Sequence, residues 1–274
     1  MRSALVRKLS FTIIAALSLL ATVSAQSVDD IIAKNIQARG GADKLKSVQA
    51  MKTTATMSMG PGMEAPGVVY VKRPNMARLE FTVQGLTAVQ AYDGKTAWAI
   101  MPFMGKKDAE AMSADETKEM QEMGDIDGPL VDYKSKGNQV ELLGKEKIEG
   151  TDAYKLKVTL KNGDVQTFYL DGDSFLEIKE ETKRTVRGTE QEFESSIGDY
   201  KEVNGIMVPF AIESSAKGHP EKQKITITKV EMNVPVDDSM FKMPPPAPAP
   251  AAPPKAEPAK PEPPKANPPS PPSN

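Results

Sequence analysis

Ala77-Arg78-Leu79-Glu80-Phe81-Thr82-Val83 places an apolar side chain at every second position and a polar or charged one between. A period of two belongs to an extended strand with one face buried and the other wet. The same alternation returns in Tyr154, Leu156, Val158 and Leu160 set against Lys155, Lys157 and Lys161. Breaks fall at Gly85, Asp93-Gly94, Asn162-Gly163 and Asp171-Gly172, which are hairpin-turn residues. Runs of this kind predict eleven or twelve strands, over 51–59, 68–72, 76–84, 86–92, 96–103, 140–145, 154–160, 165–170, 175–185, 190–200, 207–214 and 224–232. Consecutive hairpins make an antiparallel meander, and a single twisted sheet of so many strands tends to curl.

Two helical patterns interrupt the strands. Val28 to Arg39 carries an apolar stripe at Ile31, Ile32 and Ile36, a cap at Ser27 with Asp30 three residues on, and a stop at Gly40-Gly41. Ala42 to Val48 continues as a short helical turn. Ala114 to Met123 is announced by Ser113 and Glu116, a capping box, and is flanked by Pro102, Gly105, Gly124 and Gly128. It sits in a long excursion between two strands, where a lid over the concave side would be placed. Met101, Met104, Met112, Met120 and Met123 gather around it. Such flexible side chains suit either an irregular apolar ligand or the packing of the helix onto the sheet.

Both ends of the chain read differently. Arg2, Arg7 and Lys8, then the apolar run 11–20, then Val23, Ser24 and Ala25, form a secretory signal over residues 1–25, with cleavage expected after Ala25. The apolar run is shorter than the ~20 residues of a spanning helix. The mature chain is expected to be soluble and outside the cytoplasm. Loss of those three basic residues from 35 leaves 32 against 37 acidic ones, a net of −5, so no basic surface awaits nucleic acid. Cysteine is absent, which removes disulfides, thiol chemistry and a lipid-modified N-terminal Cys. Residues 244–274 hold 15 of the 23 prolines and cannot build a core. In polyproline II this tail would reach about 95 Å, as a solvated spacer or as a reach through the cell wall to a partner. The folded body is thus expected over 26–243.

Val71-Lys72-Arg73-Pro74-Asn75, followed after one hairpin by Asp93-Gly94-Lys95-Thr96, Trp98 and Pro102-Phe103, resembles the LolA family of periplasmic lipoprotein carriers, within the LolA/LolB superfamily. The ending Asp199-Tyr200-Lys201-Glu202-Val203-Asn204-Gly205 with Pro209, then 234–241 and Pro244, is similar to the C-terminal half of outer membrane lipoprotein-sorting proteins. Leu79 stands where the carriers have a tryptophan, and the proline-rich tail is foreign to them. The resemblance implies a mainly β, α+β fold: a curled antiparallel sheet forming an incomplete β-barrel of about eleven strands, with helices covering the concave face. It implies a monomeric chaperone of outer-membrane biogenesis that holds lipid or lipoprotein acyl chains, with an inner-membrane donor complex and an outer-membrane receptor as partners. It also implies that Arg73 gates the lid by hydrogen-bonding main-chain carbonyls of the lid helices.

The residues expected to line the lipid cavity are Leu79, Phe81, Val83, Trp98, Ile100, Leu156, Val158, Leu160, Met120 and Met123. No cofactor or metal is expected. The sole histidine, His219, lies in the turn-like Lys217-Gly218-His219-Pro220-Glu221, a setting that favours solvation over catalysis. Asp171-Gly172-Asp173-Ser174 has the wrong spacing for a calcium loop and reads as a hairpin turn. Asp125 and Asp127, near Glu122, read as a wet linker between glycines. A non-catalytic envelope sensor or structural module, its tail engaging wall or partner, is the alternative to a carrier.

Overall fold

The computed structural model describes residues 26–245, apart from 59, 61, 187 and 220. The expected signal, and the expected tail beyond Pro244 and Pro245, lie outside the described residues. The chain runs α1 (Val28–Ala38), α2 (Ala42–Ser47), β1 (Ala50–Ser58), β2 (Glu64–Lys72), β3 (Met76–Val83), β4 (Leu86–Tyr92), β5 (Ala97–Met101) and β6 (Lys106–Ala111). It continues through α3 (Ala114–Met123), α4 (Tyr133–Lys136), β7 (Gln139–Ile148), β8 (Thr151–Thr159), β9 (Val165–Asp171), β10 (Glu177–Val186), β11 (Thr189–Val203), β12 (Ile206–Ala216) and β13 (Gln223–Met232).

Among the described residues all the strands join one sheet of 13 in the order β6-β5-β4-β3-β2-β1-β13-β12-β11-β10-β9-β8-β7, and every neighbouring pair is antiparallel. Its two hairpin series meet where β1 pairs β13, which ties the first strand to the last. The outermost strands, β6 and β7, are not paired to each other, so the barrel is incomplete. β6 is the strand that sequence periodicity misses. Lys106-Lys107-Asp108-Ala109-Glu110-Ala111 has no apolar face, because it is an edge strand exposed along nearly its whole length. Charge on such an edge discourages pairing with another chain.

Local signals decide the turns and helix ends. The Asp93 carboxylate accepts from the amides of Lys95 and Thr96 at 2.9 and 2.8 Å, and Asp171 accepts from Asp173 and Ser174 in the same way. These are Asx turns, whose side chain stands in for a turn carbonyl. Both expected capping boxes are present, at Ser27 with Asp30 and at Ser113 with Glu116. Gly40 has a φ of +122°, and a Cβ there would lie 2.3 Å from the Gly205 carbonyl oxygen. Only glycine lets the end of α1 approach the β11–β12 turn so closely.

The helices fill part of the concave side. α1 lays Ile31 and Ile32 on Tyr154, Leu156, Val158, Phe168 and Leu170. α3 lays Met120 on Val71, Ala77, Tyr92 and Ala97, while α2 places Leu45 beside Val48, Val131 and Ile206. On the opposite face a C-terminal strap crosses the sheet, packing Val236 and Phe241 on Ala50 and Met76. No helix among the described residues is long and apolar enough to cross a membrane.

Candidate functional site

Directly opposed residues of antiparallel strands share a face, so register shows which side chains look inward. Ala77, packed under α3, defines the inner face of β3; Leu79, Phe81 and Val83 follow at steps of two on that face. They are only half-buried. Phe103 of the 3-10 turn Pro102–Met104 leans over Phe81, with ring centroids 5.9 Å apart. This half of the concave face therefore carries apolar side chains that remain partly open.

Leu156 and Val158 are inward too but sealed under α1, and Met120 of α3 is sealed against the sheet, each at 2% exposure or less. Leu160 and Met123 pack at the margins of the same two clusters. Of the clustered methionines, Met112 joins the α3 cluster and Met104 stands exposed, so the group serves packing at one end and surface at the other.

Trp98 and Ile100 do not share this face. Trp98 pairs with Ala91 and Ile100 with Val89, one residue out of step with the inward Tyr92 and Ala97. The indole Nε1 of Trp98 donates to the Phe241 carbonyl at 2.8 Å, and the Arg78 guanidinium lies over its ring. Arg78 also donates to the Met240 carbonyl, and Lys72 to that of Val236, each at 2.6 Å. The tryptophan anchors the C-terminal strap on the convex side, which corrects its expected place in the cavity. Sequence alone could not show it, because the partner is a carbonyl 143 residues away.

Arg73 follows the last residue of β2 and reaches back under the helices. Its Nε donates to the Val48 carbonyl at 2.7 Å and its Nη2 to that of Leu45 at 3.2 Å, both in or just after the last turn of α2. The Leu45 carbonyl otherwise accepts only the long 3.3 Å bond from the Val48 amide at the helix end, and late helix carbonyls are open to such side-chain donors. The guanidinium also grips Asp127 at both oxygens, at 2.8 and 2.6 Å. Asp127 is not in a wet linker; it is 7% exposed. Burial opposes its ionisation, yet the hydrogen bonds and charge of Arg73 overcome that and hold its carboxyl below the ordinary carboxylate range. Arg39 donates to the Asp127 carbonyl at 3.1 Å, and Lys136 holds Asp125 and the Gly128 carbonyl. The segment after α3 is thus clamped by three cations. An acidic pair between glycines was visible in sequence, but its cationic partners come from three separate elements.

α3 is latched at its far side as well. Glu122 accepts from Arg184 of β10 at 3.2 Å and from Asn162 at 3.1 Å, and Arg184 also faces Glu119. Desolvation pushes the Glu122 carboxyl upward despite the guanidinium. A Cβ on Gly124 would lie 2.2 Å from Asn75 Oδ1, so glycine allows the end of α3 to abut the turn after Arg73. A pocket of about 350 Å3 remains there, bordered by Asn75, Glu122, Leu160, Asn162 and Gln166.

His219 lies in an exposed turn, its amide bonded to the Ala216 carbonyl. Among the described residues no group of three His, Cys, Asp or Glu is arranged to hold a metal.

No family model matches the chain, and no curated protein does. Solved structures do match. A DUF1329 family protein of Desulfovibrio piger superposes with a TM-score of 0.56 at 13% identity, over 80% of this chain and 98% of that one. A LolA superfamily protein of Nitrosomonas europaea gives 0.54 at 15%, over 80% and 98%. A putative outer membrane lipoprotein-sorting protein domain of Vibrio parahaemolyticus gives 0.51 at 12%, over 77% and 94%. The chain shares its fold with these structures, one of them a LolA superfamily protein, as the resemblance carried by the Arg-Pro and Asp-Gly-Lys-Thr motifs implied.

Proposed function

We propose that this protein is an exported, non-catalytic carrier that takes acyl chains of lipids or lipoproteins on its concave face and escorts them across the periplasm toward the outer membrane. The observation that carries this reading is the divided concave face: one half is plugged by helices, the other holds Leu79, Phe81 and Val83 half-exposed. Burial of each methylene there would contribute about 0.8 kcal/mol. Displacing α3 would extend the apolar surface to Val71, Ala77 and Tyr92. Arg73 is the residue proposed to hold the helices shut, through the carbonyls of Leu45 and Val48. A donor complex at the inner membrane and a receptor at the outer membrane would be the partners of such a carrier.

Native mass spectrometry of the full chain recovered from a periplasm should show a co-purifying acyl lipid or lipoprotein, released on unfolding. Protein that emerges empty from every preparation, and takes up no added fatty acid or acylglycerol, would sink the carrier reading.

A further inference from the structure

The inner surface changes character from one wall to the other, and the register traces the change. One row runs Ala88, Phe81, Gly67, Ala55, Ile227, entirely without polar side chains. The next continues through Met57, Ile225, Ile212 and Ile197 onto β11. Two residues along β11 on the same face is Ser195, and there the chemistry turns. Ser195 stands opposite Glu180 on one side and Ser214 on the other, and the two hydroxyls are 2.7 Å apart. The adjacent row holds Gln166 and Thr182, with Thr182 Oγ1 donating to Glu180 Oε1 at 2.8 Å. Arg184 follows Thr182 by two, on the same face.

Two buried atoms on this wall have no partner. They are the acceptor Gln166 Oε1 and the donor Arg184 Nε, and Gln166 is only 8% exposed. Leaving such groups unpaired in the interior is costly. Gln166 Nε2 and Arg184 Nη2 both reach Glu122 Oε2, and an unpaired acceptor and an unpaired donor on two such side chains together complement a hydroxyl, which both donates and accepts. The charges around them are the carboxylates of Glu119 and Glu122 from α3 and Glu180 from β10, against the single guanidinium of Arg184. That balance repels an anionic head. α3, ten residues or about 15 Å long, touches β3, β4 and β5 at one wall and β10 at the other. Head and chain of one amphiphile could therefore engage both walls.

We propose that the β9–β12 wall, through Gln166, Thr182, Glu180, Ser195 and Ser214, binds the uncharged, hydroxyl-bearing head of an amphiphile whose chain lies along Leu79, Phe81 and Val83. This rests on the carrier reading and adds the chemical class of the head. The test is competition on the full chain between a monoacylglycerol and the methyl ester of the same fatty acid, which is uncharged but has no hydroxyl, followed by displacement of an apolar fluorophore. The hydroxyl head should win by about tenfold, the worth of one well-made hydrogen bond. Gln166→Leu, and separately Ser195→Ala with Ser214→Ala, should bring the preference toward unity while total chain binding and the thermal midpoint are kept. Equal affinity for the two heads in the unmodified protein overturns the proposal and leaves the carrier reading standing, as does a preference that survives both sets of substitutions. Binding of neither lipid overturns both.

Discussion

The two halves of the concave face are made of the same alternating strands, yet they end in opposite states. On β8 and β9, Leu156, Val158, Phe168 and Leu170 meet Ile31 and Ile32 of α1 and lose nearly all contact with water. On β3, Leu79, Phe81 and Val83 repeat the pattern but stay half-buried, with the Phe103 ring of a 3-10 turn over Phe81. An apolar stripe therefore does not tell whether it is core or a binding surface. What differs is whether a helix of the same chain reaches it.

The sharpest way to break this comparison is to shorten one side chain in each half. Leu156→Ala should cost about 3 kcal/mol, since a sealed leucine leaves a cavity that its neighbours fill poorly. Urea unfolding followed by circular dichroism measures it; a loss below 1 kcal/mol would mean that α1 is not a fixed plug.

Next in size is Arg73→Leu, which strands the Asp127 carboxylate in a site that is 7% exposed. Asymmetric removal of one partner of a buried pair is the damaging case, and with Arg73 itself a quarter exposed we expect about 2 kcal/mol. The double variant Arg73→Leu/Asp127→Leu should recover part of that loss. If it is additive instead, the two residues are not coupled, and the carbonyls of Leu45 and Val48 are the whole latch.

A smaller effect lies in the pH dependence. Asp127 titrates below its ordinary 3.8 when folded, so the unfolded chain takes up the proton first. Its contribution to stability is full above about 3.8 and is lost as pH falls through the folded value. Glu122 is shifted upward from 4.5, so the folded chain holds that proton more tightly. Stability is then lost as pH rises from about 4.5 through the folded value. Asp127→Asn should flatten the acid limb of the stability curve, and Glu122→Gln the limb above 4.5. Parallel curves for all three proteins would show that neither carboxyl is tuned by its site.

Smallest of all should be Leu79→Ala, at under about 1 kcal/mol of stability, because this side chain still faces water. Its effect belongs in ligand binding, where the fluorophore titration should weaken several-fold. A large stability loss with unchanged binding would reverse the roles assigned to the two halves.

Much of the fold was legible before any coordinates. The strand series, the Asx turns at Asp93 and Asp171 and both capping boxes follow from local chemistry, in which signal and partner lie within a few residues. β6 was not legible, since an exposed edge strand needs no apolar alternation. The shared inward face of Leu79, Phe81 and Val83 followed from a period of two that also holds in space. Trp98 and Ile100 did not, because a five-residue strand gives its alternation but not which phase faces inward.

Sequence by itself thus determined that residues from 51 to 232 would form an antiparallel meander, preceded by a helix from Val28 and interrupted by one from Ala114, since turns, caps and side-chain period are encoded within a few residues. Tertiary structure alone decided which apolar stripes are plugged and which stay open. It also decided that Arg73 meets Asp127 and the end of α2, and that Gln166, Thr182, Glu180, Ser195 and Ser214 form a polar patch on the inner face. Those outcomes depend on contacts between residues far apart in the chain, such as the 54 separating Arg73 from Asp127, and no local pattern of residues records them.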